Sequence, residues 1–192
     1  MKKKACFLDR DGVVIVDKDY LSNPSDVQLT DGAAQAIKKL NDMNYLVIVV
    51  SNQSGVARGY FNEGSIKDVH QKISDLIKYQ ANAVIDKFYY CPHHKNGSIA
   101  PYNIDCDCRK PKLGMFKKAL TDFDIDIENS IMIGDKISDI KAGNQIGCKH
   151  SYLVKTGHGR EELEKIKYHN NLDLKFSIAE NLANAVEDIK TK

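Results

Sequence analysis

The chain has 192 residues, of which 42% are hydrophobic and 28% are charged, and its formal net charge is +2. This size and composition predict one globular domain over residues 1–192 and exclude a disordered chain. The balanced charge argues against nucleic acid or a membrane surface as a partner, and no apolar run is long enough to cross a bilayer.

The N-terminal residues argue against secretion. The basic start is followed by an apolar stretch that ends at Asp9, which is too short for the apolar region of a signal peptide. We therefore expect a cytoplasmic protein, with a monomer as the default state. The five cysteines then need an explanation other than disulfides, because thiols stay reduced in that compartment.

Short apolar runs alternate with amphipathic segments along the chain. In chain order, this pattern predicts a strand at 5–8, a helix at 32–43, a strand at 45–50, a helix at 64–79, a strand at 84–90, a helix at 113–123, a strand at 130–133, a helix at 137–146, strands at 150–154 and 174–176, and a helix at 178–189. Ser177 is the expected N-cap of the last helix. Such alternation is typical of a doubly wound, mainly parallel, Rossmann-like α/β sheet, which binds ligands at the carboxyl ends of its strands.

Polar residues follow three of the predicted strands at the point where each strand ends. Asp9 and Asp11 follow the first strand, and alternate residues of an extended chain point the same way, so both can face one pocket. Ser51 and Asp135 follow two further strands. Carboxylates at adjacent strand ends repel one another unless a divalent cation lies between them, and their hard oxygens suit Mg²⁺. Taken singly, Asp9 to Gly12 and Ser51 could equally be solvated turns.

Lys110 adds a cation to this set, although alone it could be a surface charge. A carboxylate nucleophile, a second carboxylate, a hydroxyl, a lysine and a metal-binding acid meet the needs of phosphoryl transfer. Mg²⁺ and Lys110 would offset the repulsion between an anionic nucleophile and the phosphoryl group.

At these residues the sequence resembles the haloacid dehalogenase-like phosphohydrolases, over about residues 5–154. The resemblance implies that Asp9 attacks phosphorus to form an aspartyl-phosphate. Asp11 would protonate the leaving alkoxide and then activate the hydrolytic water. Mg²⁺ would be held by Asp9, the backbone carbonyl of Asp11 and Asp135. Ser51 and Lys110 would bind the phosphoryl oxygens, with Asp139 outside the coordination sphere or paired with Lys110.

The segment 91–111 breaks the alternation and holds three of the five cysteines. Cys91, His93, Cys106 and Cys108 form a Cys₃His set, which satisfies tetrahedral Zn²⁺ without an open position and so predicts a structural site. His94 is a competing imidazole, and free thiols or a redox pair are the alternatives to zinc. The other two cysteines, Cys6 and Cys148, are expected to be buried apolar fillers.

This zinc loop narrows the resemblance to a branch that lacks a large cap domain and that includes heptose bisphosphate and histidinol-phosphate phosphatases. The run from Ser51 to Phe61 with its Arg58, the sequence Gly134-Asp135-Lys136, and Asp17-x-x-Tyr20 resemble the heptose enzymes. Ser51 stands where those enzymes usually carry threonine.

The resemblance then implies a Mg²⁺-dependent phosphatase acting on the C7 phosphate of D-glycero-D-manno-heptose 1,7-bisphosphate, with histidinol phosphate as the alternative substrate. Cations beyond those on the reacting phosphate are needed for a bisphosphate, although Arg58 could also be an exposed loop charge. The expected substrate contacts are Asp17, Tyr20, Ser51, Asn52, Gln53, Ser54, Arg58, Arg109, Lys110 and Lys136.

Two alternatives without catalytic turnover of a small molecule remain. A phosphorelay receiver domain also surrounds a phosphoacceptor Asp with Mg²⁺, a hydroxyl and a lysine. However, its acidic pair precedes the phosphoacceptor and its lysine comes last, whereas here Asp135 follows Lys110. A zinc-organised binding module is the other. Turnover of p-nitrophenyl phosphate with Mg²⁺, lost in Asp9→Asn, separates both from a phosphatase.

Overall fold

The computed structural model describes residues 2–168 and 174–191. Its centre is a six-stranded, all-parallel sheet with the order β3-β2-β1-β4-β5-β6. The strands are β1 (Ala5–Leu8), β2 (Leu46–Asn52), β3 (Lys87–Cys91), β4 (Ile131–Gly134), β5 (His150–Val154) and β6 (Ser177–Ala179). The strand order reverses between β1 and β4, which opens a crevice at their carboxyl ends.

Helices cover both faces of the sheet. They are α1 (Ala33–Asp42), α2 (Glu63–Ala81), α3 (Gly114–Asp122), α4 (Ile137–Ile146), α5 (Gly159–Tyr168) and α6 (Leu182–Thr191). Alternate residues of β1 face opposite cores. Cys6 and Leu8 pack in a cluster with residues of α1, α2 and α6, and Ala5 and Phe7 pack in a second cluster with residues of α3 and α4. Among the described helices, none is both long and apolar enough to cross a membrane.

The predicted fold class is confirmed, and several element bounds match. The strands at 5–8 and 150–154 and the helix at 137–146 have the predicted limits, and most other elements are shifted by one to three residues. β2 continues through Ser51 and Asn52, where a turn was expected, because both residues pair with β3.

Two predictions near the C-terminus are wrong. The segment 174–176 is not a strand. Ser177 is not a helix cap, because it begins β6 and pairs with Tyr152 of β5. The last helix begins only at Leu182, where the side chain of Asn181 accepts a hydrogen bond from the Asn184 N–H. Pairing with the edge of the sheet has therefore overridden the local capping pattern. The sequence pattern also missed α5, a highly charged helix with few apolar residues.

Candidate active site

A cleft of about 440 Å³ lies at the carboxyl edge of β1, β2 and β4. Most of the expected site residues line it, namely Asp9, Asp11, Asp17, Tyr20, Ser51, Asn52, Gln53, Ser54, Arg109, Lys110, Lys136 and Asp139. Asp135 lies beneath the cleft and is fully buried. Arg58 is half-buried and does not line the cleft, but its charge acts with burial to lower the pKa of Arg109, which does.

Lys110 is the buried cation of the site. Its Nζ lies 3.0 Å from Asp9 Oδ1 and 2.7 Å from Asp139 Oδ1, and it donates to the Val50 carbonyl at 2.6 Å. Burial alone would lower the pKa of Lys110, but the two carboxylates outweigh it and raise the pKa above its usual value. Lys110 is therefore a permanent positive charge beside Asp9.

Asn52 holds the main chain of Lys110 in place. Its side-chain amide donates to the Lys110 carbonyl at 3.1 Å and accepts from the Lys110 N–H at 3.0 Å. Since both ends of this amide are already engaged, the geometry gives Asn52 a supporting part in addition to its place in the cleft wall.

Asp135 has one buried oxygen without a hydrogen-bond partner. Its Oδ2 accepts from the His158 N–H at 2.8 Å, while Oδ1 is unpartnered. A Cβ at Gly12 or at Gly157 would lie within 2.4 Å of Oδ2, so only glycine fits on either side, and both glycines have positive φ. Carboxylate oxygens of Asp9, Asp135 and Asp139 lie within 4.8 Å of one another. An unpartnered buried carboxylate oxygen in such a group fits Mg²⁺.

Protons and a divalent cation compete for these acids. Burial and the Asp9 charge raise the pKa of Asp135 to about 8, and burial raises that of Asp139 to about 6 despite the neighbouring Lys110. Carboxyls with pKa values raised on folding stabilise the fold most below their unfolded pKa near 4, and this contribution is lost as the pH rises toward 8.

We therefore predict that added Mg²⁺ raises the melting temperature of the protein more at pH 8 than at pH 5, because the cation binds the ionised acids. Thermal unfolding with and without Mg²⁺ measures this, with Asp135→Asn as the control that removes most of the response. A larger rise of the melting temperature at pH 5 would contradict the assignment of Mg²⁺ to these acids.

Asp11 sits in a hydrogen-bonded group with Arg10 and Gln53. The Arg10 guanidinium donates to both oxygens of Asp11 at 2.9–3.2 Å, and Gln53 Nε2 donates to Asp11 Oδ2 at 2.9 Å. Burial acts to raise the pKa of Asp11, but the Arg10 charge and these bonds hold it below its ordinary value. Arg10 was not predicted, because strand alternation directs it away from Asp9 and Asp11.

The outer rim of the cleft carries further polar groups. Tyr20 stands at the rim, where its ring meets that of Tyr60 edge-on at 4.7 Å. His158, which was also not predicted from the sequence, connects the rim of the cleft to the buried Asp135. Its backbone contacts Asp135, and its Nε2 lies 3.2 Å from Asp17 Oδ2. Burial acts to lower the pKa of Lys136, but Asp135 and other acids raise it above its usual value, which keeps the ammonium charged.

The four residues of the expected zinc site come together beside this cleft. The sulfurs of Cys91, Cys106 and Cys108 lie 3.0–3.4 Å apart, and His93 Nδ1 lies 3.3 Å from Cys108 Sγ. A hydrogen bond between Cys91 and Cys108 raises the pKa of the first thiol and lowers that of the second to about 5. All five cysteines are free. The donor set and its convergence fit tetrahedral Zn²⁺.

The competing imidazole, His94, is engaged in a hydrogen bond elsewhere. Its Nδ1 accepts from the Asn96 N–H at 3.2 Å, within its own turn.

We predict that His93→Gln loses most of the bound zinc and lowers the melting temperature, whereas the matched change His94→Gln keeps about one zinc per chain. Metal analysis of the two purified variants measures this. Equal zinc content in both would contradict the choice of His93.

The loop docks on the segment that carries Arg58. Ala57 donates its N–H to the Pro92 carbonyl and accepts from the N–H groups of Ser98 and Ile99. On α2, the Glu63 carboxylate accepts from the Tyr102 hydroxyl of the loop at 2.7 Å. The same chain continues to Arg109 and Lys110, so order in the loop fixes one wall of the cleft.

Known proteins are similar to this chain in fold and in sequence. Residues 107–185 match the family model described as HAD-hydrolase-like, that is, haloacid dehalogenase-like. The D-glycero-beta-D-manno-heptose-1,7-bisphosphate 7-phosphatase of Haemophilus ducreyi is 43% identical over 157 residues, which is 82% of this chain and 86% of the relative. The D-glycero-alpha-D-manno-heptose-1,7-bisphosphate 7-phosphatase of Photorhabdus laumondii is 39% identical over 172 residues, or 89% and 93%.

Among solved structures, the D,D-heptose 1,7-bisphosphate phosphatase of B. bronchiseptica, complexed with magnesium and phosphate, matches with a TM-score of 0.84 and 32% identity over 98% of each chain. The fold and the site thus define a haloacid dehalogenase-like phosphatase. Within that class, the chain belongs to the D-glycero-D-manno-heptose-1,7-bisphosphate 7-phosphatase family. The resemblance inferred from the sequence motifs is confirmed, and these relatives favour it over the histidinol-phosphate alternative.

Proposed function

We propose that this protein uses Mg²⁺ to hydrolyse the C7 phosphate of D-glycero-D-manno-heptose 1,7-bisphosphate, leaving heptose 1-phosphate for the synthesis of nucleotide-activated heptose. The observation that carries the proposal is the buried Lys110 ammonium held between Asp9 and Asp139 in the crevice at the carboxyl ends of β1 and β4. A cation in that position neutralises a nucleophilic carboxylate that must approach an anionic phosphoryl group. The names of the relatives supply the substrate.

The reaction has two halves. In the first, Asp9 attacks phosphorus, the bond from phosphorus to the sugar oxygen breaks, and Asp11 delivers a proton to that oxygen. In the second, Asp11 accepts a proton from a water that attacks the aspartyl-phosphate, which releases phosphate and restores Asp9. Ser51 and Lys110 bind the phosphoryl oxygens during both halves.

Two metals have separate places in this proposal. Asp9, the Asp11 carbonyl and Asp135 would hold Mg²⁺, which supplies electrostatic stabilisation of charge on the transferring phosphoryl group. Asp139 contacts Lys110 and serves as its partner. Cys91, His93, Cys106 and Cys108 would hold a structural Zn²⁺ that orders the loop 91–111.

The second phosphate of the substrate needs cations of its own. Arg109 and Lys136 line the cleft, and Arg58 adds charge next to Arg109. The remaining substrate contacts are assigned to Asp17, Tyr20, Asn52, Gln53 and Ser54. An arginine fork suits a phosphate dianion because it donates two parallel hydrogen bonds.

The setting of the enzyme is proposed on composition. The size of the chain agrees with a single capless domain over residues 1–192. The balanced charge agrees with a monomer that has no nucleic-acid or membrane partner. Five free cysteines agree with a reducing cytoplasm.

A parallel assay of phosphate release tests the substrate. We expect one phosphate to be released from heptose 1,7-bisphosphate far faster than from histidinol phosphate, with both C1 anomers of the bisphosphate tested side by side. The expected difference arises because histidinol phosphate has no second phosphate for the outer cations. Faster release from histidinol phosphate would overturn the proposed substrate but leave the phosphatase in place.

A further inference from the structure

Arg10, Asp11 and Gln53 line the cleft and form a closed ring of hydrogen bonds in its wall. Arg10 donates to both oxygens of Asp11, and its Nη2 also donates to Gln53 Oε1 at 3.0 Å. Gln53 Nε2 completes the ring by donating to Asp11 Oδ2 at 2.9 Å. Arg10 and Gln53 are 1% and 4% exposed, so the two donor side chains are shielded from solvent, while the Asp11 side chain is 17% exposed.

The ring is tied to the phosphoryl-binding hydroxyl. Gln53 Nε2 also donates to Ser51 Oγ at 2.7 Å, so one amide fixes the distance between Asp11 and Ser51. If Ser51 holds a phosphoryl oxygen, the position of Asp11 relative to phosphorus is set by Gln53 and not by the substrate.

Every one of these contacts to the Asp11 carboxylate is donated by an N–H group. Donors on both oxygens hold the Asp11 carboxylate in one orientation beside the phosphoryl-binding Ser51. We propose that Arg10 and Gln53 are positioning residues that aim Asp11 at the water that hydrolyses the aspartyl-phosphate. This inference rests on the proposed function.

The variant Gln53→Met tests the ring with little change of volume. It removes the bonds to Asp11, to Arg10 and to Ser51 but adds no charge. Arg10→Lys is the second variant, because it keeps the charge and loses the fork that engages both oxygens. Gln71→Met is the matched control, since Gln71 also donates to an aspartate, Asp75, but on the exposed surface of α2.

The readout is the hydrolysis of p-nitrophenyl phosphate. Its leaving group departs without a proton, so only the second half of the reaction depends on Asp11. For Gln53→Met we expect a burst of about one p-nitrophenol per active site, then a steady rate lower on the order of 10²-fold, near the low end for general base catalysis. The kcat/KM reports the first half and should change far less than kcat. With p-nitrophenyl phosphate labelled in its phosphate, a larger fraction of label should remain on Asp9 after a rapid acid quench.

Several outcomes would overturn the inference. Equal losses in kcat and kcat/KM, with no extra label on Asp9, would give the ring a purely structural role. A raised KM with unchanged kcat would leave Gln53 as a substrate contact only, with no part in positioning Asp11. Failure of the unaltered protein to release phosphate from any of these compounds would reject the proposed function itself.

Discussion

Replacing Asp9 with asparagine is expected to abolish phosphate release, by on the order of 10⁴-fold or more, because an amide cannot attack phosphorus. The fold should persist. Lys110 keeps Asp139 as its partner, and loss of the Asp9 charge removes repulsion from Asp135. Phosphate release at saturating Mg²⁺ measures the effect, and zinc content with the melting temperature reports on the fold.

The control for this variant is Asp26→Asn, at an exposed acid in a short 3₁₀ turn that does not line the cleft. It should keep full activity. A fully folded Asp9→Asn protein that retains near-normal turnover would show that a different group attacks phosphorus.

Replacing Lys110 with methionine is expected to lower both stability and activity strongly, because it removes the positive charge that pairs with two buried carboxylates. Removing one partner of a buried ion pair costs about 3–5 kcal/mol in the free energy of unfolding. Loss of a preorganised group that stabilises phosphoryl charge lowers kcat on the order of 10²–10³-fold. Chemical denaturation without added Mg²⁺ and phosphate release with it measure the two effects separately.

Two further variants sharpen this result. Lys110→Met combined with Asp139→Asn should regain part of the stability, since it removes an unpaired buried charge, but none of the activity. Lys112→Met is the matched control two residues away. Lys112 pairs with the exposed Asp105, so its loss should change the free energy of unfolding far less than the loss of Lys110. Equal stability of Lys110→Met and Lys112→Met would contradict the buried pairing.

The centre of the site follows from local rules of sequence. Asp9, Ser51 and Asp135 could be placed together because parallel strands end at one edge and apolar runs mark where each strand ends. The helix at 137–146 could be predicted because its apolar residues recur at helical spacing and Gly147, with positive φ, ends it.

What could not be predicted depends on contacts between distant segments. Lys110 reaches Asp9 and Asp139 because the loop after β3 returns to the sheet edge, a path that no periodicity encodes, so its place in the site was expected from its chemistry and from the family resemblance and not from the pattern of elements. Arg10 was missed because alternation directs it away from the cleft, yet its long side chain reaches Asp11. The short strand β6 was misplaced because its position is set by pairing with β5 and not by its own residues.

The site of covalent labelling in a single turnover shows whether Asp9 is the nucleophile. Excess protein is mixed with heptose 1,7-bisphosphate labelled in the C7 phosphate, in the presence of Mg²⁺, and is quenched in acid at successive times. We expect label to appear transiently on the peptide containing Asp9 before it appears as free phosphate, and we expect Asp9→Asn to show neither. Label that passes to free phosphate without a protein-bound stage, or that resides on another residue, would contradict this role of Asp9.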